Sequence, residues 1–357
     1  MPQKKFVITG GGTGGHVFPA ISIAEELQRR GSVVHYVGSA TGFEAKYVPE
    51  KKIPFFTIQS GAVKNQGLVT LVKTLFKLIG GFFQSLSHLI HFRPDAVVGV
   101  GGYVSVPVCV AATTLRVPLY LQEQNVSVGI ANRFLGRFAK RVFLGFEQAR
   151  KSFPADVAVV TGNPIRREFF EMCPSYDGSG GEILILGGSQ GAMAINFGVT
   201  KSLSRLIQTR PGVHIVHQTG ERDVTSVTEA YRSQLTAGQF EVVPFIRDIV
   251  ACYQKASLVI ARSGALTVSE ILQVQRPAIF VPYPRRGQND QTANAYYLQE
   301  LGVALTVEQG DRFEARLWEA IERCLQPSQL TRMHENFSRL PLSNALATIC
   351  DQIESAV

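Results

Sequence analysis

The chain has 357 residues, which suits two domains of ordinary size. Its composition, 45% hydrophobic and 18% charged, is that of a soluble globular protein and argues against a disordered or fibrous one. The net charge is +8, and the five cysteines (Cys109, Cys173, Cys252, Cys324, Cys350) are odd in number and widely spaced, with no C-x-x-C pair, which argues against a disulfide framework or a zinc site.

Lys4 and Lys5 precede an apolar run of only Phe6 to Ile8, too short for a signal peptide. No run of about 18 uncharged apolar residues occurs, so the expectation is a cytoplasmic protein that does not span a membrane. A short buried-type strand, Phe6 to Thr9, runs into Gly10-Gly11-Gly12-Thr13-Gly14-Gly15, then a helix from about Pro19 to Arg30 stopped by Gly31, then a strand from Val33 to Val37. Leu68 to Phe92 has apolar residues at three- and four-residue spacing (Leu68, Leu71, Val72, Leu75, Ile79, Phe82, Leu86, Leu89, Ile90), which predicts an amphipathic helix with Lys73, Lys77 and Gln84 opposite the stripe and Phe76 and Phe83 at its edge. A strand from Ala96 to Val100 ends in Gly101-Gly102-Tyr103, and another, Leu119 to Leu121, ends in Gln122-Glu123-Gln124-Asn125. The pattern restarts after Gly162-Asn163-Pro164. Strand Glu182 to Leu186 leads into Gly187-Gly188-Ser189-Gln190-Gly191-Ala192 and a helix from about Met193, with strand His214 to His217 following. Strand Leu258 to Ala261 leads into Arg262-Ser263-Gly264 and a helix containing Glu270, and strand Ala278 to Val281 comes next. Two successive sets of alternating strand and helix predict an α/β protein of two doubly wound parallel-sheet domains.

Glycine-rich turns after strands suit phosphates. The backbone can approach closely, and the helix that follows presents unpaired N–H groups and the positive end of its dipole. One such turn is weak evidence, but three in two halves point to a phosphate-bearing ligand. A nicotinamide dinucleotide is a poor fit, because no carboxylate follows the second strand of either half: Val37 leads into Gly38-Ser39-Ala40-Thr41, and His217 into Gln218-Thr219-Gly220. The spacing of a P-loop ATPase is also absent. Residues 1–165 carry 18 basic against 8 acidic side chains and the remainder 18 against 20, so the first half should face something anionic, a membrane surface or nucleic acid. No nucleic-acid-binding motif accompanies that charge.

Six blocks in this order, Gly11 to Pro19, Gly101 to Tyr103, Glu123 to Asn125, Gly162 to Arg166, Gly187 to Ala192 and Arg262 to Glu270, resemble the MurG family of peptidoglycan N-acetylglucosaminyltransferases, which make lipid II from lipid I. The resemblance covers nearly the whole chain. It implies the GT-B architecture, two Rossmann-like domains facing across a cleft: residues 1–163 binding acceptor and membrane, residues 164–340 binding the UDP-sugar donor, and a helix at about 341–357 packing back on the first domain. It implies an inverting transfer of N-acetylglucosamine from UDP-N-acetylglucosamine to undecaprenyl-pyrophosphoryl-MurNAc-pentapeptide, at the cytoplasmic face of the cell membrane.

By that resemblance Glu270 would hold the ribose hydroxyls, and the helix start Ala265, Leu266, Thr267, with Val268 and Ser269, would meet the diphosphate. Ile246 would contact uracil, and Arg166, Asn125, Ser189 and Gln291 diphosphate or sugar. Thr13, Gly14 and Gly15 would serve donor or acceptor, with Tyr103 on the acceptor side. His16, at the tip of its loop, is a candidate general base, a histidine's ordinary pKa being ~6.5. Glu123 is the other candidate, or a partner that orients the acceptor. No Asp-x-Asp occurs, so no metal cofactor is expected, and helix dipoles and Arg166 would stabilise the leaving group.

The apolar arc of Leu68 to Phe92 looks wide for packing alone. One end of it, with Phe76, Ile79 and Phe83, is expected to dip into the anionic membrane surface, aided by Lys73, Lys77, Lys140 and Arg141. The chain departs from the family pattern at Gln122, where a histidine is expected, and at Arg247, where an acidic residue is expected. Pro284 to Asp290 is more basic than expected and about a residue longer than in some members, which weakens the placement of Gln291. A UDP-N-acetylglucosamine 2-epimerase, a transferase acting on another glycolipid and a non-catalytic sugar-nucleotide-binding subunit remain open at this point.

Overall fold

The computed structural model describes residues 3–61, 68–172, 181–188, 191–284, 290–340 and 343–356, with 68–72 described by their backbone alone. The chain forms two compact units, Met1–Arg167 with Ser343–Val357, and Glu168–Leu342. The division therefore falls a few residues after the Gly162-Asn163-Pro164 turn, and Arg166 belongs to the first unit.

The first unit is built on a parallel sheet of β1 (Lys5–Thr9), β2 (Val33–Ser39), β3 (Phe55–Ile58), β4 (Ala96–Gly99), β5 (Leu119–Glu123), β6 (Arg141–Leu144) and β7 (Ala158–Val160), in the order 3-2-1-4-5-6-7. Phe6, Val7 and Ile8 are all fully buried, as expected of a strand covered by helices on both faces. The second unit holds β8 (Glu182–Leu186), β9 (His214–Gln218), β10 (Phe240–Val243), β11 (Ala256–Ala261), β12 (Ala278–Phe280) and β13 (Ala304–Thr306), in the order 10-9-8-11-12-13. In each sheet the order reverses beside its first strand, between β1 and β4 and between β8 and β11. Loops at the carboxyl ends of these strands are where such folds bind ligands.

Three local differences from the pattern reading affect the site. The first helix runs Gly14–Arg29, so it starts five residues before Pro19. Pro19 falls in its second turn, where the missing N–H leaves only the carbonyl of exposed Gly15 without its helical donor. His16 is thus a first-turn helical residue and not the tip of a loop. Strand β5 continues to Glu123, which places Gln122 and Glu123 inside the sheet. The helix Leu68–Phe92 is turned about its axis relative to the apolar stripe. Thr74, Gly81 and Ser85 face inward with Leu89, while Leu75, Phe76, Ile79 and Phe83 are exposed. The reason is close packing. A Cβ on Gly81 would stand 2.0 Å from the Gln59 carbonyl oxygen, so only the glycine face can meet that segment. The Ser85 hydroxyl is satisfied by the Gly81 carbonyl at 2.6 Å.

The chain returns to the first unit through the helix Ala345–Ser355, capped by Asn344 Oδ1 accepting from the Ala347 N–H at 3.0 Å. Its apolar face (Leu346, Ile349, Ile353) is buried, and Arg30 pairs with Asp351 at 2.6 Å, Glu354 at 2.9 Å and Glu26 at 2.8 Å. Lys140 donates to the Ala356 carbonyl at 2.8 Å and Arg141 to the Asp156 carbonyl at 2.6 Å. Both side chains remain exposed while donating to these main-chain carbonyls.

Hydrogen bonds from Arg29, and then from Arg30, outweigh burial and hold the Glu26 carboxyl at about 2. Its folded pKa lies below the ordinary carboxylate value, so its contribution is complete above about 4.3 and lost as pH falls from there toward 2. Arg30→Ala should destabilise the first unit by about 1–3 kcal/mol at neutral pH, and by clearly less at pH ~3. Urea unfolding of both proteins at the two pH values measures this, and an equal loss at both would exclude the ion-pair cluster as its source.

Candidate functional site

At the first reversal the loops after β1 and β4 touch. Val100 donates to the Thr9 carbonyl at 2.8 Å and Gly11 to the Gly101 carbonyl at 3.3 Å. A Cβ on Gly102, whose φ is +83°, would stand 2.2 Å from the Gly11 carbonyl oxygen, so no other residue fits there. Beneath the loop lies Glu44, fully buried, whose carboxylate accepts from the Gly12 N–H at 3.0 Å, the Ser39 N–H at 3.1 Å and the Ser39 hydroxyl at 2.5 Å. Sequence reading missed Glu44, because nothing in a lone glutamate after Gly42-Phe43 marks it as a partner of a loop 32 residues earlier. Tyr36 donates to the Gly10 carbonyl at 2.7 Å, and the half-buried Tyr103 ring packs over Gly12. Burial and then the Glu44 charge push the Tyr103 hydroxyl above its ordinary value, so it stays protonated and able to donate.

The helix that follows starts at Gly14 and Gly15, whose first-turn N–H groups lack intrahelical acceptors, as at any helix start. His16 lies partly exposed, with Nδ1 3.1 Å from Gln124 Oε1. Glu123 is 2% exposed. Its carboxylate accepts from the Asn125 N–H at 3.1 Å, Asn125 Nδ2 at 3.4 Å, the Gly129 N–H at 3.1 Å and Asn132 Nδ2 at 3.0 Å. A carboxylate so enclosed shapes the 125–132 loop and has no free edge for a substrate proton. Of the two candidate bases, Glu123 is enclosed and His16 is partly exposed. Asn125 is turned back on Glu123, and Arg166 is exposed.

In the second unit the loop after β8 folds back on the end of β9, its neighbour on the side opposite the reversal. Gly187 donates to the Gln218 carbonyl at 2.9 Å, and a Cβ on Gly191 would stand 2.4 Å from the Thr219 carbonyl oxygen. Ser189 lies outside the described residues. The helix Ala265–Val274 starts beyond Gly264, with Leu266 and Thr267 partly exposed in its first turn. Val268 is not at the surface: it is fully buried and its N–H is bonded to Gly264, because the helical period turns it into the core. Ser269 is likewise buried. Glu270 remains partly exposed, with Tyr253 Oη 3.4 Å from one of its oxygens. The Ile246 N–H is committed to Gln218 Oε1 at 3.0 Å and the residue is buried, while Phe245 beside it is 58% exposed. Gln291 Oε1 accepts from the Tyr283 N–H at 2.9 Å, so this amide shapes the 283 turn.

Two more supports escaped the sequence. Arg262 lies over the Tyr283 ring and donates to the Val281 and Pro282 carbonyls at 2.9 and 3.1 Å, and burial brings its pKa down to about 10. Asn196 donates to the Thr219 carbonyl and to Asp223 while accepting at 3.0 Å from His217, which burial holds at about 3 and hence neutral.

The family model described as the glycosyltransferase family 28 N-terminal domain matches residues 6–144, and that of the family 28 C-terminal domain matches residues 182–349. The UDP-N-acetylglucosamine--N-acetylmuramyl-(pentapeptide) pyrophosphoryl-undecaprenol N-acetylglucosamine transferase of Syntrophus aciditrophicus is 39% identical over 352 residues, 97% of each chain. The transferase of the same description from Syntrophotalea carbinolica is 41% identical over 307 residues, 85% of each. The crystal structure of Acinetobacter baumannii MurG superposes with a TM-score of 0.82 at 31% identity over 99% of both chains. A UDP-GlcNAc 2-epimerase from Neisseria meningitidis superposes at 0.63 with 16% identity, which is a likeness of fold alone.

Glu44→Ala would leave the Gly12 and Ser39 donors without their acceptor inside the fold. Each buried donor left unpaired costs about 1–3 kcal/mol. We expect a fall in stability of that order or more by denaturant unfolding. A variant as stable as the wild type would show that the glycine loop does not depend on this carboxylate.

Proposed function

The chain belongs to the MurG family of glycosyltransferases, and from that premise we propose how its own residues perform the family's reaction. The enzyme transfers N-acetylglucosamine from UDP-N-acetylglucosamine to undecaprenyl-pyrophosphoryl-MurNAc-pentapeptide, lipid I, and so makes lipid II for peptidoglycan. The observation that carries this conclusion is the alignment of 97% of the chain, both units included, with transferases of that description.

The second unit takes the donor. Glu270 accepts hydrogen bonds from the ribose hydroxyls, and the N–H groups at Ala265, Leu266 and Thr267 meet the diphosphate with the positive end of the helix dipole. The Ile246 carbonyl, with Phe245, faces uracil, and Arg166 adds positive charge toward the leaving phosphate. The first unit takes the acceptor at Thr13, Gly14, Gly15 and Tyr103. His16 Nε2 removes the proton of the attacking acceptor hydroxyl. As that oxygen bonds to the anomeric carbon, the bond from that carbon to the β-phosphate oxygen breaks. UDP leaves with the electron pair, and the anomeric configuration inverts. Leaving-group charge is met by helix N–H groups and Arg166, so transfer proceeds without a metal cofactor and survives a chelator.

The acceptor is a membrane lipid, and the first unit has the features to reach it. Among the described residues no helix is long and apolar enough to cross a membrane. Instead Leu75, Phe76, Ile79 and Phe83 are 57%, 69%, 45% and 62% exposed on one stretch of helix, with Lys73 and Lys77 exposed among them. That combination suits peripheral attachment to an anionic bilayer, here the cytoplasmic face of the cell membrane.

A transfer assay with radiolabelled UDP-N-acetylglucosamine and a lipid I analogue tests the assignment. Glu270→Ala should weaken UDP binding by about 1.5–3 kcal/mol in calorimetry. His16→Ala should leave UDP affinity intact and lower turnover by about 10²–10⁴-fold. Wild-type turnover in the latter would remove His16 as the base. For the membrane role, replacing Lys73 and Lys77 with Glu should weaken flotation with anionic vesicles and slow transfer to bilayer-embedded acceptor, while sparing a soluble short-chain acceptor. Each basic residue near the surface is worth about 1 kcal/mol, an effect that salt screens. Unchanged flotation would exclude this stretch as the attachment site.

A further inference from the structure

Gln124 is 1% exposed, and its orientation is fixed by a chain of amides that ends on the main chain. The Gln124 carbonyl can only accept, so the Asn163 atom 3.0 Å from it is the nitrogen Nδ2. Asn163 Oδ1 is then the acceptor for Gln122 Nε2, at 2.8 Å. That leaves Gln122 Oε1 to accept from Gln124 Nε2, which also donates to the Val100 carbonyl at 2.8 Å. Turning the Gln124 amide over would set its oxygen against two acceptors. Gln124 Oε1 is what remains for His16, 3.1 Å from Nδ1. An amide oxygen only accepts, so in the neutral ring Nδ1 carries the hydrogen and Nε2 the lone pair. Gly101 packs against the same edge of the ring, where a Cβ on it would stand 3.1 Å from Nδ1.

We infer that Gln124, backed by Gln122 and Asn163, is a positioning residue that holds His16 in the Nδ1–H tautomer and so keeps Nε2 available to accept the proton of the attacking hydroxyl. Gln122 and Asn163 are 0% and 3% exposed. The relay consists of amides and main-chain carbonyls, so none of its members titrates in the working range of the enzyme. Left to itself a histidine samples both tautomers, and the Nε2–H form cannot act as a base at that nitrogen. The Gln122 side chain, at the position where the sequence departs from the family pattern, is the middle link of this relay and not a ligand of substrate.

The inference rests on His16 being the base, and the experiment separates the two. The full-length protein is labelled with nitrogen-15 at histidine, and long-range proton–nitrogen spectra are recorded at a pH where the ring is neutral, with His16→Ala identifying the signals. The wild type should show the Nδ1–H pattern. Gln124→Met, similar in volume but without the acceptor, should lose that preference. Its kcat should fall severalfold, because part of the ring population moves to the Nε2–H form, with KM for UDP-N-acetylglucosamine unchanged. An Nε2–H pattern in the wild type overturns the inference even if no variant folds, and so does a folded Gln124→Met that keeps the Nδ1–H form or wild-type kcat. If His16→Ala keeps its turnover while the spectra behave as expected, the tautomer assignment stands and the catalytic reading of both residues falls.

Discussion

Where a parallel sheet reverses its strand order, two neighbouring strands send their chains to opposite faces, and the loops leaving them are brought side by side with no helix between. Both units contain one such reversal, and the first shows its effect directly. In the first, the loops after β1 and β4 approach so closely that Gly11 donates to Gly101 and only glycine fits at 102. In the second, the loop after β8 is packed instead against the end of β9, the neighbour on the side opposite the reversal. Each site is therefore made largely of backbone, which suits the diphosphates carried by both substrates of this family. The side chains that matter are those that hold the backbone in place.

That division of labour explains why buried polar residues cluster at the carboxyl ends of the strands. Glu44 beneath the glycine loop, Glu123 inside the 125–132 loop, and Asn196 with His217 in the second unit are enclosed groups whose hydrogen-bonding atoms are spent on loops. A buried carboxylate is costly unless it is well bonded, and these are bonded to N–H donors that would otherwise be unpaired. The rigid first layer then leaves a partly exposed histidine with one nitrogen anchored and the other available.

The helix Leu68–Phe92 shows a different balance. Its sequence has enough apolar residues to cover the sheet and more. Close approach at Gly81, with Ser85 bonded back onto the helix, turns a face of small residues inward at mid-helix, while Leu86, Leu89 and Phe92 continue the packing toward the carboxyl end. The large side chains displaced from the core, Leu75, Phe76, Ile79 and Phe83, end up in solvent beside two lysines. Apolar surface of that kind is costly in water, and an enzyme whose acceptor is a lipid has a use for it.

The sequence alone determined the alternation of strand and helix, the two repeats of it, the three glycine turns, the family and the identity of most side chains at the two reversals. These follow from periodicity and short-range backbone requirements, which are local and can be read along the chain. It also marked His16 and Glu123 as candidates without separating them. Tertiary structure gives them different surroundings: Glu123 belongs to a strand and is enclosed by donors from Asn125, Gly129 and Asn132, while His16 lies in the first turn of a helix and stays partly exposed. Glu44, the inward turn of Val268, the main-chain contacts of Lys140 and Arg141, and the face on which Leu68–Phe92 packs were likewise decided only in three dimensions. The physical reason is common to all of them. A periodic pattern says which residues share a face, but the face that goes inward and the polar group that meets it are set by how closely segments distant in the chain can approach, and no local pattern records that distance.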